Sequence, residues 1–149
     1  MARKSRPAPI PHIDPAAVED KPLRFSFKHL DTANPKFDHS KCSTDYFCGL
    51  FATLQRFSTW TVDQFTDQTN KEHRHVIDFG TTSEPDGFQN VRGLDRDQIG
   101  YADGWQFSVY PNVPWSDYRA HGILIDDTFY IVWFDPEHRL FPRKLALKA

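Results

Sequence analysis

Four basic side chains stand at the two ends of one apolar segment: Arg119 and His121 at its entry, His138 and Arg139 at its exit. Arginine can clamp a phosphate through two parallel N–H bonds, and histidine exchanges a proton near neutral pH. Metal-free RNA cleavage needs these parts. One group takes the 2′-hydroxyl proton, a cation faces the developing phosphorane, and another group protonates the leaving oxygen. In this reading Arg119 binds phosphate, His121 or His138 acts as acid or base, and Arg139 stabilises the transition-state charge. Tyr118 stands beside them, and Lys71, Arg74, His75 and Arg143 would extend an RNA-binding surface. A purely structural reading instead pairs Arg119 and Arg139 with Asp117, Asp135 or Glu137 and leaves the histidines at the rim.

A second constellation is His73-x-His75, followed by Asp78. On a strand this spacing puts both imidazoles on one face, and His121, His138 or Asp78 could complete a zinc site. No H-E-x-x-H and no paired cysteines accompany it, so the expectation is no metal and no cofactor. Cys42 and Cys48 match no zinc spacing, and if both lie on one helix they fall on nearly opposite faces. They read as free thiols, with Cys48 buried. Asp126 and Asp127 supply turn geometry rather than acid–base chemistry. Phosphate-loop, dinucleotide and nucleophile-elbow motifs are absent from the sequence.

The segment that must position the basic groups is a hairpin. Strands at about Arg119–Asp126 and Thr128–Asp135 flank a turn at Asp126–Asp127, and their content is β-branched and aromatic. The apolar run is nearly continuous, so both sheet faces should be covered. A turn at 126–127 sets position 119 opposite about 134, which brings the four basic groups toward one end of the hairpin. Upstream, Leu23–His29 alternates as a half-buried strand. Ser43 or Thr44 opens a helix whose Tyr46, Leu50, Leu54 and Phe57 recur at helical spacing. Thr61 and Gln64 form a capping box that starts a second helix, fading by Asn70. A short strand at Val76–Phe79 leads into a long polar connection over 80–104, interrupted by a short helix near Leu94–Gln98. Trp105–Tyr110 alternates again.

The chain from Asp117 to Phe141, D-Y-R-A-H-G-I-L-I-D-D-T-F-Y-I-V-W-F-D-P-E-H-R-L-F, resembles the RelE/ParE superfamily of small bacterial toxins. The shared pattern is a strand beginning Y-R, a short acidic turn, and an apolar strand ending in a basic pair. The resemblance implies that Arg119 contacts the scissile phosphate, that His138 and Arg139 are the terminal basic pair, and that Phe141 lies near the family's C-terminal tyrosine. The chain departs from the family at Gln106 and Ser108, where ribosome-dependent members often carry lysines. It departs again at Phe141, which cannot donate a proton, and at Asp135–Pro136 in place of V-G. The resemblance implies an RNA target, on or off the ribosome, and a neutralising antitoxin or other protein partner.

The length of 149 residues suits a single domain with its own core. With a formal net charge of −2, any polyanion site has to be a local patch. No apolar run approaches the roughly 20 residues of a spanning helix, and the basic start lacks a signal-peptide core, so a cytoplasmic protein that does not enter a membrane is expected. Residues 1–22 hold five of the eleven prolines with Arg3, Lys4 and Arg6, and read as a disordered basic arm. Residues 23–142 form the domain, and 143–149 a basic tail. The expected fold is α+β, with two N-terminal helices on one face of a mostly antiparallel sheet of four or five strands, RelE-like. The expected function is a metal-independent endoribonuclease, the toxin of a toxin–antitoxin or phage-defence pair. Its rival is a non-catalytic module that binds a protein or nucleic acid through its aromatic surface and basic arm.

Overall fold

A computed structural model describes residues 21–69, 73–113 and 116–142. The arm over 1–20, the tail over 143–149, Lys71 and Arg143 lie outside the described residues. Lys21 and Pro22, assigned above to the arm, belong to the domain. The Lys21 carbonyl accepts from the Val62 N–H at 3.0 Å, and Pro22 bridges Thr61.

The fold is α+β around one five-stranded mixed sheet, ordered β1-β5-β4-β3-β2. Its strands are β1 (Arg24–Ser26), β2 (Arg74–Val76), β3 (Gly104–Ser108), β4 (Arg119–Ile125) and β5 (Thr128–Asp135). Three pairings are antiparallel, whereas β1 runs parallel to β5, Arg24 opposite Thr128. The sheet is therefore not a simple antiparallel meander: its first strand pairs directly with its last. The β1 strand is also shorter than the alternation of Leu23–His29 suggests. Ser26 turns its hydroxyl onto the Lys28 N–H at 3.1 Å, and the Leu30 N–H bonds the Phe27 carbonyl at 3.0 Å, which curls the chain away from the sheet.

The helices start where the local chemistry directs. Helix α1 (Thr44–Phe57) is capped by Ser43, whose hydroxyl accepts from the Tyr46 N–H at 3.1 Å. Helix α2 (Val62–Thr66) carries the reciprocal Thr61–Gln64 capping box but ends after five residues. Asp67 turns extended there and its side chain takes the Thr69 N–H at 3.0 Å, an alternative to continuing the helix. Helix α3 (Arg96–Tyr101) lies within the long connection, two residues later than the sequence suggests.

Two apolar clusters flank the sheet. One joins Tyr46, Leu50, Leu54, Phe57, Val62 and Phe65 to Phe107, Ala120, Phe129, Ile131 and Phe134 of the strands. Its centre is a set of edge-to-face rings: Phe57 on Phe65 and Phe107, and Phe129 on Phe65 and Phe107, with centroids 5.4–5.7 Å apart. Each such contact adds roughly 0.5–1.5 kcal/mol beyond area burial. The other cluster places Phe37, Ile77, Phe88, Val91 and Leu94 against Ile123, Val132 and Trp133. Both faces of the central hairpin are thus covered, the second by the long connection. Cys48 is exposed and Cys42 half-buried, the reverse of the expected order. Position 48 lies on the outer side of α1, beside the exposed Phe51.

Candidate functional site

The site depends on one irregularity in the hairpin. From the turn, pairing runs in step: Ile125 opposite Thr128, then Leu124, Ile123 and Gly122 opposite Phe129, Tyr130 and Ile131. Then His121 faces Trp133, Ala120 faces Phe134 and Arg119 faces Asp135, so Val132 has no partner across the strand. This is a β-bulge, and it corrects the expected pairing of 119 with 134. Because side chains alternate, a one-residue slip exchanges the faces of everything beyond it. The bulge brings Trp133 and Asp135 onto the face that carries Arg119 and His121. The Val132 carbonyl turns out to accept the Asp31 N–H at 2.9 Å, while Asp31 Oδ2 takes the Trp133 indole N–H at 2.9 Å. Gly122 makes the slip possible. A Cβ there would run into the Tyr130 carbonyl oxygen and the Phe129 ring.

The result is a polar lattice on this face. One row crosses four strands: His75, Gln106, His121, Trp133. The next holds Ser108, Arg119 and Asp135, and the Ser108 N–H donates to the His73 carbonyl at 3.1 Å. His121 and Asp135 are fully buried, and His121 Nε2 donates to Asp135 Oδ2 at 2.9 Å. Asp135 also accepts from the backbone N–H groups of Arg139 (2.7 Å) and Leu140 (3.0 Å). Burial opposes a charge on Asp135, yet the His121 hydrogen bond and those two N–H groups hold its carboxyl below the ordinary value. Burial pushes the His121 imidazole down, against the pull of Asp135. The pair is therefore a neutral imidazole donating to a carboxylate, and the Nδ1 of His121 has no hydrogen-bond partner.

Over this lattice lies a cleft of about 580 Å³ lined by Gln68, His73, Arg74, His75, Gln106, Arg119, His138 and Phe141. Every ionisable side chain in that lining is a histidine or an arginine. His138 has a left-handed backbone (φ 57°), which turns the chain after β5 back over the sheet. Its Nδ1 donates to the Phe141 carbonyl at 2.9 Å, which leaves Nε2 carrying the lone pair. Arg119 Nη1 donates to the carbonyls of Ser116 (2.7 Å) and Tyr118 (3.0 Å), anchoring one side of its guanidinium at the cleft wall. His75 donates from Nδ1 to the Val76 carbonyl (3.0 Å), and its Nε2 accepts from the Gln106 amide nitrogen (2.9 Å).

The structure sorts the sequence candidates. Arg119, His138, His75 and Arg74 all line the cleft. The Arg74 guanidinium, however, is buried at the end of α2. It donates to the carbonyls of Phe65 (2.9 Å), Asp67 (3.0 Å) and Gln64 (3.2 Å) and lies 4.8 Å from the centre of the Trp60 ring. It satisfies orphan helix carbonyls rather than facing solvent. His121 lies beneath the cleft, and neither it nor Arg139 is in the lining. Tyr118 belongs to a second depression with Asp45, Tyr110, Asp117 and Glu137. Among the described residues, no three His, Cys, Asp or Glu side chains converge on a metal-sized site. Gln106 entered the sequence reading only as a family departure, and Asp135 as a family departure and a candidate ion partner of the arginines, not as the partner of His121. The period of two along β3 already sets Gln106 opposite in face to Trp105 and Phe107, but nothing in the sequence marks the bulge that buries Asp135.

Comparison of the chain with protein-family models, curated proteins and solved structures returns no match. Among the described residues no helix is long and apolar enough to cross a membrane.

Proposed function

We propose that the chain is a metal-independent endoribonuclease. The observation that carries this reading is the cleft whose ionisable lining is wholly histidine and arginine in a protein of net charge −2. Such a patch suits a phosphodiester. His138 Nε2 takes the 2′-hydroxyl proton, the 2′-oxygen attacks phosphorus, and the bond to the 5′-oxygen breaks with a cyclic phosphate left behind. Arg119 faces the charge that grows on the phosphoryl oxygens, and the exposed His73 at the cleft edge returns a proton to the leaving oxygen. The His121–Asp135 pair fixes the floor on which Arg119 stands. Arg139 acts from outside the cleft lining, as part of the basic turn after β5.

The hairpin's likeness to RelE/ParE toxins agrees with this chemistry, as does the element order strand, helix, helix, strands. On that basis the chain is the toxin of a toxin–antitoxin or phage-defence pair, working in the cytoplasm on free or ribosome-bound RNA and held by a neutralising protein. A second reading, a non-catalytic interaction module, is favoured by a separate apolar groove of about 270 Å³. It is lined by Phe27, Leu30, His39, Phe47, Leu50, Phe51 and Phe134. There Phe51 is 61% and Phe27 46% exposed, more than a core requires.

The test is cleavage of a labelled RNA by purified protein in the presence of a chelator. The wild type should leave 2′,3′-cyclic phosphate ends, and Arg119→Ala and His138→Ala should each slow cleavage by roughly 10²–10³-fold. If both variants cleave and inhibit growth like the wild type, the ribonuclease reading is wrong. If Phe51→Ser alone abolishes growth inhibition, the interaction module is the better account.

A further inference from the structure

Helix α1 leaves one side bare. A helix turns about 100° per residue, so Cys48, Phe51, Ala52 and Gln55 share its outward side, and all four are exposed. No lysine, arginine, aspartate or glutamate stands among them, although a solvated helix face is ordinarily charged. Phe51 is 61% exposed. Beside it lies the apolar groove of about 270 Å³, walled by Phe47, Leu50 and Phe51 of α1 together with Phe27, Leu30 and Phe134. A cavity of roughly 150 Å³ already admits a benzene ring. One surface therefore offers both a protruding ring and a slot that takes one.

The charges that bound this face match in sign as well. Asp45 stands in the first turn of α1 and Arg56 in the last. Their separation is close to three whole turns, so both lie on the same side of the helix. Let a second α1 run antiparallel to the first, about a two-fold axis midway between residues 50 and 51. Asp45 of one protomer then comes opposite Arg56 of the other, at both ends of the contact. Phe51 lies next to the axis on the groove edge, so each ring approaches the groove of the other protomer. The small side chains of Cys48 and Ala52 let the two helices close in, and their opposed dipoles add to the fit. An isologous interface demands this self-complementarity: ring and slot, anion and cation, on one patch in two-fold order. A foreign helix would need only the complement of each.

We propose that the outward face of α1 and its groove bind a second copy of this chain, the two α1 helices antiparallel and each Phe51 seated in the other's groove. The inference names one occupant for the groove and does not depend on the ribonuclease reading. Helix α1 packs on the sheet face that carries Phe107 and Ala120, whereas the cleft lies over Gln106 and Arg119 on the opposite face. The contact is centred on a helix of 14 residues, about 21 Å long, which is small for a specific interface. The dimer should therefore dissociate in the micromolar range.

The test is sedimentation equilibrium of the full chain over a concentration series across the micromolar range. The wild type should pass from one chain to two. Phe51→Glu should remain a single chain and unfold thermally like the wild type in dilute solution, because position 51 is outside the core. Asp45→Arg sets arginine against Arg56 at both ends and should weaken self-association by roughly tenfold. Arg56→Glu sets glutamate against Asp45 and should weaken it similarly. An equal mixture of these two charge variants should dimerise again, since every contact between unlike protomers then joins opposite signs. If Arg56→Glu fails to fold, the comparison with Phe51→Glu decides alone. A wild type that stays a single chain throughout overturns the proposal. So does a dimer that survives Phe51→Glu, or a mixture of folded charge variants that remains single chains.

Discussion

Asp135 collects three N–H donors: the His121 ring and the backbones of Arg139 and Leu140. Those bonds hold the turn after β5 in place and thereby hold His138 over the cleft. The pair also sets how the fold responds to acid. His121 is depressed below its ordinary value of 6.5 by burial, so the unfolded chain binds its proton more readily than the folded one. Its contribution is complete above about 6.5 and is lost as pH falls through the folded value. Asp135, also depressed, adds a second loss at lower pH, beneath its ordinary 3.8. Urea unfolding should therefore show stability climbing with pH up to about 6.5 and level above it. His121→Gln keeps an N–H for Asp135 but does not titrate. It should flatten the climb just below 6.5 while the lower acid loss remains.

The hairpin of β4 and β5 shows how a single unpaired residue redirects an element. Without the Val132 bulge, Arg119 would face Phe134 and Asp135 would fall on the opposite sheet face. Gly122→Ala tests this, because its Cβ meets backbone oxygen and an aromatic ring that cannot both give way. Thermal unfolding should show a loss of roughly 3 kcal/mol or more, and RNA cleavage should fall further than in an equally destabilised core variant such as Leu50→Ala. Elements with strong local chemistry were legible in the sequence: the Ser43 cap, the Thr61–Gln64 box, the turn at Asp126–Asp127 and the second strand's limits at Thr128 and Asp135. The cleft was legible in part, since Arg119 and His138 meet in its lining. What could not be read was anything resting on long-range pairing. The bulge has no periodic signature, and Arg74 looks like any basic edge residue until α2 ends beside it. The parallel alignment of β1 depends on a partner a hundred residues away.

At the scale of the whole molecule, the sheet is closed by that last dependence. Arg24, Phe25 and Ser26 pair with Thr128, Phe129 and Tyr130. The Phe129 ring, packed on Phe25, Phe65 and Phe107, ties β1, α2 and β3 together. Contacts so far apart in sequence carry a large loop-closure cost, which slows folding. A fragment ending at Asp127 should therefore show no cooperative unfolding transition by circular dichroism, although it retains α1, α2 and four of the five strands. During synthesis the consequence is one of timing. The ribosome delivers β1 about a hundred residues before its neighbour in the sheet, so the growing chain carries an unfinished edge until β5 emerges. The turn bearing His138 comes later still. Whatever reaction the cleft performs, it cannot begin before that turn has been made and β5 has paired.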